Sequence, residues 1–410
     1  MAGGRGTRIS SIASNIPKPM IPICGKPVLQ HEIECLKAQG YTDLILTVGY
    51  MSDAIIGFFK DGSEFGVHIE YYVEKEPLGN AGALFRIKER LTDDFLLLNA
   101  DSLFNVDFDR FVRYHREKKG DVTLFTHPNS HPYDSGIIVC GDDHAVQRWL
   151  LKEDERPEYY KNRVNAGLHV INKKALNVAI DTSKVDLDRQ ILKPLAGTGR
   201  MFAYDSPEYV KDMGTPDRYD SVSKDFARGL VRAKNLRRKQ KAIFLDRDGT
   251  VNQYVGFLRD IDRFELIDGV AEAIRLINAS GYLAIVVTNQ PVIARGEVSL
   301  EELNRIHNKL ETLLGRDGAY IDGLYFCPHH PHKGFEGERP EYKIDCTCRK
   351  PKPGMLLMAA RDYHIDLSRS WMIGDDDNDV LAGKAAGCRT VKIGNGTDLL
   401  RAVRDILGEG

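Results

Sequence analysis

One apolar stretch that ends in two carboxylates constrains the fold of this chain more than any other segment. It runs from Lys241 to Thr250 and reads Lys-Ala-Ile-Phe-Leu-Asp-Arg-Asp-Gly-Thr, so Asp246 and Asp248 directly follow a strand-like run. Side chains two residues apart point to the same side of a strand, and Gly249 then lets the backbone turn away. Paired carboxylates in this position suit a nucleophile and a neighbouring general acid/base. The pattern predicts an α/β unit with chemistry at its strand ends.

Length and composition bound the class of protein. A chain of 410 residues favours two or three domains, and its 42% hydrophobic and 28% charged residues are typical of a soluble globular protein. The net charge of −2 gives no general attraction to nucleic acid or to an anionic membrane. We find no apolar run of membrane-spanning length and no signal-peptide core. Seven cysteines, an odd number, favour a reducing cytoplasm over a disulfide framework.

Apolar runs alternate with amphipathic segments along the whole chain. The clearest strand predictions are Leu44–Val48, Phe95–Asn99, Ile243–Leu245, Leu283–Thr288 and Trp371–Ile373. This order predicts an α/β fold with mostly parallel sheets. Residues 223–240 are rich in Arg and Lys without interleaved aromatic residues, so we predict a solvated, basic helical linker rather than an RNA-binding patch. The predicted domains are therefore 1–222 and 241–410.

Three further polar segments of the second domain follow apolar runs or adjoin them. They are, in chain order, Thr288-Asn289-Gln290, Arg349-Lys350 and the acidic run from Asp375 to Asp379. Because the carboxyl ends of strands form the ligand crevice of an open α/β sheet, we expect these segments to converge with Asp246. The carboxylates suit Mg²⁺. An acidic surface loop would explain the last segment alone, but not the ordered set.

This ordered set resembles the haloacid dehalogenase superfamily of phosphatases, with its Rossmannoid fold. The resemblance implies that Asp246 attacks phosphorus to form an aspartyl-phosphate, while Asp248 protonates the leaving alcohol and then activates water. It also implies substrate contacts from Thr288, Asn289, Gln290, Arg349 and Lys350, and Mg²⁺ ligation by Asp246, Asp375 and the backbone of Asp248, with Asp379 nearby in support.

A Cys/His motif narrows the family. Its proposed members are Cys327, His329, Cys346 and Cys348, which suit tetrahedral structural zinc in a loop that shapes the substrate pocket. His330 and His332 compete with His329 as the fourth ligand. Together with the segments Cys-Arg-Lys-Pro-Lys-Pro-Gly-Met and Thr-Asn-Gln-x-x-Ile-Ala-Arg-Gly, the motif resembles the heptose bisphosphate phosphatases, relatives of histidinol phosphatase. Pro291 and Val292 stand where that family usually has Ser-Gly.

The N-terminal half carries a second series of phosphate-binding signals. Residues 3–8 are glycine-rich, which lets backbone N–H groups approach a triphosphate, and the prolines around Lys18 fix how that lysine is presented. A strand ending at Asp101 places a carboxylate for Mg²⁺, and Asp212 is the natural second ligand.

This series resembles the sugar-1-phosphate nucleotidyltransferases, with a Rossmann-like fold. The resemblance implies that the triphosphate is bound by Gly3, Gly4, Arg8, Lys18, Leu78 and Gly79, the sugar by Asn165 and Gly167, and Mg²⁺ by Asp101 and Asp212. Lys18 would stabilise the charge that develops when the sugar phosphate oxygen attacks the α-phosphate. Two departures stand out: Ala100 replaces a usual glycine, and only Met1 and Ala2 precede the glycine motif. We expect that the true start lies upstream of Met1; otherwise this half folds with a strand missing and its neighbours' edges exposed.

Together the two halves are similar to bifunctional enzymes of nucleotide-activated heptose synthesis in bacterial surface-polysaccharide assembly. The implied reactions are removal of the 7-phosphate of D-glycero-D-manno-heptose 1,7-bisphosphate and transfer of GMP from GTP to heptose 1-phosphate. Mannose 1-phosphate, ADP-heptose or histidinol-phosphatase-like specificity stays open, as does a phosphatase with a degenerate N-terminal half. A zinc-dependent interaction protein is the non-enzyme alternative, against which intact Asp246, Asp248 and Asp375 argue. The oligomeric state is open, with a homodimer as one option.

Overall fold

The computed structural model of the chain describes residues 16–408. They form two compact units. The first contains the chain up to Thr126 together with Ile138–Trp149 and Asn165–Asn235, and the second contains His127–Ile137, Leu150–Val164 and the chain from Leu236 onward. Two short segments from within the predicted residues 1–222 thus belong to the second unit.

The N-terminal half alternates strands with helices up to residue 118 and is then rich in strands. Its strands are β1 Pro22–Ile23, β2 Lys26–Pro27, β3 Asp43–Val48, β4 His68–Val73, β5 Asp94–Leu98, β6 Ser102–Asn105, β7 Val122–His127, β8 Ile137–Cys140, β9 Val146–Leu150, β10 Val164–Asn172, β11 Met201–Asp205 and β12 Tyr209–Asp212. Its helices are α1 Val28–Lys37, α2 Ser52–Phe59, α3 Gly82–Arg86, α4 Phe108–Lys118, α5 Pro216–Ala227 and α6 Leu230–Ala233.

Strand pairing in this half is mixed, and here the prediction of mostly parallel sheets is wrong. The larger sheet has the order β11-β7-β10-β8-β9, with β5 also paired to β10. β3 and β4 are parallel, as are β7 and β11, but β5 and β8 run antiparallel to β10, and β6 runs antiparallel to β12. Parallel neighbours need a crossover, usually a helix, and no α-helix lies between β7 and β10 among the described residues.

The C-terminal half matches the predicted α/β fold with a parallel sheet. It contains the strands β13 Lys241–Leu245, β14 Tyr282–Asn289, β15 Gly323–Cys327, β16 Trp371–Gly374 and β17 Arg389–Lys392, and the helices α7 Val270–Asn278, α8 Leu300–Arg316, α9 Gly354–Asp362, α10 Asp377–Ala386 and α11 Leu399–Leu407. Every pairing in the order β15-β14-β13-β16-β17 is parallel.

Helices cover both faces of this parallel sheet. In β13, Ile243 and Leu245 pack in one core with residues of α7, α8 and α11, whereas Ala242 and Phe244 pack in another with residues of α9 and α10. Alternate residues of a strand point to opposite faces, so a strand buried on both faces reads as a continuous apolar run. This burial explains why the sequence around Asp246 predicted its strand so clearly.

The segment predicted as a solvated linker, 223–240, is partly buried. It comprises the end of α5, then α6, and the boundary between the two compact units falls at residues 235 and 236. Val222 and Val231 are buried in one core, against which Phe226 packs, and Leu230 is also buried. These apolar residues recur at helical spacing, which the high local charge obscured. None of the helices in residues 16–408 has the length and apolar character needed to traverse a lipid bilayer.

Candidate active sites

Three carboxylates meet at the carboxyl end of the parallel sheet. Asp246 follows β13, Asp375 follows β16, and Asp379 lies in the first turn of α10; one oxygen from each lies within 4.8 Å of the others. The backbone N–H of Asp246 donates to the carbonyl of Ile373 at 2.9 Å, which ties the ends of the two strands together. Oxygen ligands in such a cluster suit a hard divalent cation such as Mg²⁺.

Lys350 supplies a buried positive charge to this cluster. Its Nζ lies 2.6 Å from Oδ1 of Asp246 and 2.7 Å from Oδ1 of Asp379, and it donates to the carbonyl of Val287 at 2.8 Å. Burial disfavours the ammonium form, but the two carboxylates outweigh it and raise the pKa of Lys350. Burial also raises the pKa of Asp246, against the opposing charge of Lys350. The lysine therefore remains charged beside the predicted nucleophile.

Asn289 fixes the loop that carries this lysine. Its Nδ2 donates to the carbonyl of Lys350, and its Oδ1 accepts from the backbone N–H of Lys350, both at 3.0 Å. Asn289 ends β14, so the sheet itself positions the cation. The predicted substrate residue Asn289 thus acts on the loop in this structure.

Asp248 accepts hydrogen bonds from a separate set of donors. The guanidinium of Arg247 reaches both carboxylate oxygens of Asp248 at 2.8 Å, and Nε2 of Gln290 donates to Oδ2 at 2.8 Å. Gln290 also donates to Oγ1 of Thr288 at 2.8 Å. Arg247 is completely buried. The sequence analysis missed Arg247, although an arginine between two aspartates was a visible signal.

Two glycines leave room for the carboxylates. Gly249 has φ of +90°, and a Cβ there would lie 2.3 Å from Oδ2 of Asp375. A Cβ on Gly374 would lie 2.1 Å from Oδ2 of Asp379. Thr250 Oγ1 lies 3.4 Å from Oδ1 of Asp375 and orients it. The backbone is therefore shaped around these oxygens, and the donor set fits a magnesium ion.

A second cluster lies beyond the end of β15. The ligand atoms of Cys327, His329, Cys346 and Cys348 all lie within 4.8 Å of one another. Sγ of Cys348 is 3.2 Å from the sulfurs of both other cysteines and 3.3 Å from Nδ1 of His329. Four ligands about 2.0–2.3 Å from one ion have similar spacings in a tetrahedron, so the set could hold a metal.

The structure selects one of the three competing histidines. Nδ1 of His329 faces the thiols, whereas the ring of His330 packs against the rings of His332 and Phe335. Arg349 donates to the carbonyl of His329 at 3.2 Å. Because Arg349 directly precedes Lys350, the Cys/His cluster supports the loop that enters the acidic site.

In the N-terminal half, Lys18 pairs with Asp101. Nζ of Lys18 lies 2.9 Å from Oδ2 of Asp101, and both side chains are partly exposed. The register of β6 and β12 places Asp212 opposite Ser102, so Asp101 and Asp212 lie at the same end of this strand pair. Arg218 donates to both oxygens of Asp212, at 3.0 and 2.8 Å. The sequence analysis did not identify Arg218.

The predicted sugar residues lie on β10, which pairs with β5, and close to Asn99, the residue after β5. Oδ1 of Asn165 accepts from the backbone N–H of Gly167 at 3.2 Å and lies 3.1 Å from Nε2 of His169. Gly167 has φ of +76°, and a Cβ there would lie 2.6 Å from Nδ2 of Asn99. Burial lowers the pKa of His169 to about 4, so its neutral ring orients Asn165.

Backbone contacts fix the loop of Leu78 and Gly79, which was predicted to bind the triphosphate. Gly79 has φ of +80°, and a Cβ there would lie 2.3 Å from the carbonyl oxygen of Val185. The carbonyl of Leu78 accepts from the N–H of Val185 at 2.8 Å. The remaining predicted triphosphate ligands, Gly3, Gly4 and Arg8, lie outside the described residues.

Comparison with known proteins covers both halves. A family model described as nucleotidyl transferase matches residues 1–229, and one described as HAD-hydrolase-like matches residues 347–405. The chain is 48% identical over 147 residues to the D-glycero-beta-D-manno-heptose-1,7-bisphosphate 7-phosphatase of Pasteurella multocida, covering 36% of this chain and 77% of that protein. It is 41% identical over 167 residues to the D-glycero-alpha-D-manno-heptose-1,7-bisphosphate 7-phosphatase of Burkholderia mallei, covering 41% and 82%. The crystal structure of HddC from Yersinia pseudotuberculosis aligns with 26% identity and a TM-score of 0.48, covering 55% of this chain and 96% of that one.

Proposed function

The chain belongs to the nucleotidyl transferase family and to the D-glycero-D-manno-heptose-1,7-bisphosphate 7-phosphatases, and on this premise we propose that it performs two consecutive steps of heptose activation. It is an enzyme with a phosphatase half and a nucleotidyltransferase half. In this proposal residues 1–222 transfer the nucleotide and residues 241–410 remove phosphate, with 223–240 between them. The observation that carries it is the buried Lys350, held between Asp246 and Asp379 beside an independently oriented Asp248.

These positions support the following proposal for the phosphatase reaction. An oxygen of Asp246 attacks the phosphorus of the 7-phosphate, the bond from phosphorus to the sugar oxygen breaks, and Asp248 gives that oxygen a proton. Asp248 then takes a proton from the water that attacks the aspartyl-phosphate, which frees phosphate and restores Asp246. Lys350 lies where it neutralises charge on the phosphoryl group, and Thr288 and Gln290 lie at the same strand end.

Magnesium is the cofactor that the acidic residues fit. Asp246, Asp375 and the backbone of Asp248 would hold it, and it would add positive charge against the phosphoryl oxygens. For the Cys/His cluster we propose zinc, because three thiolates and an imidazole in tetrahedral spacing are a closed structural zinc set. In this role the ion stabilises the loop of Arg349 and takes no part in the chemistry.

In the transferase reaction an oxygen of the sugar 1-phosphate attacks the α-phosphorus of GTP, and the bond to pyrophosphate breaks. Lys18 lies beside Asp101 and would neutralise charge on the α-phosphate, and Asp101 and Asp212 would hold magnesium. Asn165 and Gly167 would contact the sugar. The choice of guanine rests on the resemblance of this half to enzymes that activate heptose 1-phosphate.

A substrate panel tests the proposal. The purified chain is given one of five substrates: either anomer of D-glycero-D-manno-heptose 1,7-bisphosphate, fructose 1,6-bisphosphate, histidinol phosphate or mannose 1-phosphate. Each substrate is combined with one of four nucleoside triphosphates and Mg²⁺. Release of phosphate and of pyrophosphate is measured separately. We expect one heptose anomer with GTP to give the highest kcat/KM for both products. Preference for histidinol phosphate, or pyrophosphate release only with mannose 1-phosphate, would contradict the heptose assignment.

Lys18→Ala tests whether the two activities depend on separate halves of the chain. It should reduce pyrophosphate release by at least 100-fold, since the charge next to Asp101 is lost, while phosphate release stays within twofold of the unaltered chain. Lys26→Ala is a matched control, because Lys26 forms an exposed ion pair with Glu34 in the same half. If the two substitutions reduced pyrophosphate release equally, the proposed role of Lys18 in the transferase reaction would be contradicted.

A further inference from the structure

Arg295 lies in the loop that follows β14, and its positive charge is only loosely paired. Its side chain is 14% exposed, and Nη1 lies 3.9 Å from Oε1 of Glu297. Nε is buried and has no hydrogen-bond partner among residues 16–408. Glu297 is already bound by Arg259, whose Nε and Nη2 donate to its two carboxylate oxygens at 3.0 and 3.1 Å. Because arginine keeps its charge at every ordinary pH, this mostly buried guanidinium calls for a further anion.

Two phenylalanine rings cover the faces of this guanidinium. Cζ of Arg295 lies 3.9 Å from the centre of the Phe257 ring and 4.3 Å from the centre of the Phe335 ring. Stacking of this kind stabilises a cation and fixes its plane, but it satisfies none of the N–H donors at the edge of the guanidinium. Donors in that forked arrangement match the oxygens of a phosphate or a carboxylate.

Three loops at one edge of the parallel sheet bring these groups together. Phe257 follows β13, Arg295 follows β14 and Phe335 follows β15, and these strands are neighbours that run in the same direction. Their carboxyl ends therefore meet at the edge where Lys350 contacts Asp246. Arg295 thus belongs to the rim of the candidate phosphatase site, on a different loop from Lys350.

Contacts between two of these loops hold the stacked groups in place. The N–H of Arg339 donates to the carbonyl of Ala294 at 3.0 Å, which joins the two loops next to Arg295. Nζ of the buried Lys343 lies 4.4 Å from the centre of the Phe335 ring. The guanidinium is therefore preorganised, so little conformational entropy is left to lose when an anion binds.

A second guanidinium lies within electrostatic range of the first. It belongs to Arg349, which directly precedes Lys350. Burial lowers the pKa of Arg349, and the positive charge of Arg295 acts in the same direction. Two cations that repel each other at the rim of one site are both stabilised by an anion close to them. Lys350 faces the phosphoryl group that is transferred, so the anion at the rim is a different group.

We propose that Arg295 binds the phosphate that stays on the sugar when the 7-phosphate is removed. This inference rests on the proposed phosphatase function and makes Arg295 a specificity-determining residue of the same site. A sugar bisphosphate presents one dianion to Lys350 and a second at the far end of the sugar, where the guanidinium forms charged hydrogen bonds with it. A sugar monophosphate lacks the second group and leaves the charge of Arg295 unpaired. The phosphatase half therefore selects bisphosphates.

Paired substrates test this assignment. Phosphate release from D-glycero-D-manno-heptose 1,7-bisphosphate and from the corresponding 7-phosphate is measured for the unaltered chain and for Arg295→Met. The substitution should lower kcat/KM for the bisphosphate about 10- to 100-fold, chiefly through KM, and that for the 7-phosphate about threefold or less. Arg295→Lys should recover part of the loss, because it keeps the charge without the forked donors.

Arg275→Met is the matched control. It alters an exposed arginine that donates to the carbonyl of Asp317 in the same half, and it should change neither value. Equal losses for the two substrates in Arg295→Met would mean that Arg295 only supports the fold, and would overturn the proposal.

Binding measured without turnover separates this inference from the proposed function. In the Asp246→Asn chain, Arg295→Met should raise the calorimetric Kd of the bisphosphate about tenfold or more and that of the 7-phosphate about threefold or less. If the unaltered chain released no phosphate from heptose bisphosphate, the proposed function would be wrong, and fructose 1,6-bisphosphate with fructose 6-phosphate would replace the heptose pair. A preference for the bisphosphate that disappears with Arg295 supports the inference in either case. No such preference, or one that survives Arg295→Met, overturns it.

Discussion

Replacing Lys350 by Met should destabilise the phosphatase half strongly and in a pH-dependent way. The lysine is buried and lies 2.6 and 2.7 Å from two buried carboxylates, those of Asp246 and Asp379. Removing one partner of such a buried pair costs about 3–5 kcal/mol, because a charge is left uncompensated. Lys352→Met is the control in the same loop: its ion pair with Asp345 is exposed and should contribute about 1 kcal/mol or less.

The loss of stability in Lys350→Met should grow as pH rises. Without the lysine, the buried carboxyls keep a raised folded-state pKa, so the folded chain binds more protons than the unfolded chain. Stability of the variant then falls as pH rises above the unfolded pKa of about 4. Urea unfolding without added magnesium, at pH 5 and pH 7.5, should show a larger loss for Lys350→Met at pH 7.5. A loss that is equal at both pH values, or no larger than that of Lys352→Met, would refute the reasoning.

Three further changes have defined outcomes. Arg247→Gln removes the bidentate donor of Asp248 and should lower kcat for phosphate release about 10- to 100-fold, with a shifted pH profile and little change in KM; an unchanged profile would deny it a positioning role. Cys348→Ser should lose about one zinc ion per chain by metal analysis, whereas the buried Cys388→Ser should keep it. The pKa of His169 is about 4 in the folded chain and about 6.5 in the unfolded chain, so the free energy of unfolding should fall by about 3 kcal/mol as pH falls from 6.5 to 4. His169→Gln should flatten this pH dependence in urea unfolding. An unaltered pH dependence in the variant would show that His169 is not its source.

The sequence predicted those features that depend on local patterns. All five of the proposed strands exist, with ends shifted by one or two residues, because strands buried on both faces, such as β13 and β14, read as unbroken apolar runs. The residues of the two clusters that could hold a metal were predictable from residue type and spacing, and parallel strand ends must meet at one edge, which brings the carboxylates together. Short motifs at the ends of such strands therefore carry most of the predictable site.

Features that depend on register or on distant contacts were not predictable. Arg247 was overlooked because its role becomes visible only when its side chain folds back onto Asp248. The contact between His169 and Asn165 requires both to point the same way from β10, a strand whose register against β5 no sequence period specifies. The mixed pairing of the N-terminal sheet depends on loop paths rather than on apolar patterns.

Phosphate release by Asp246→Asn tests the central claim most directly. The substitution preserves size but removes the nucleophile, so phosphate release from heptose bisphosphate should fall by at least 1,000-fold on the general scale of such losses. Pyrophosphate release from heptose 1-phosphate and GTP by the same protein should stay within twofold. Persistent phosphate release, or loss of both products in a folded protein, would contradict two independent active sites on one chain.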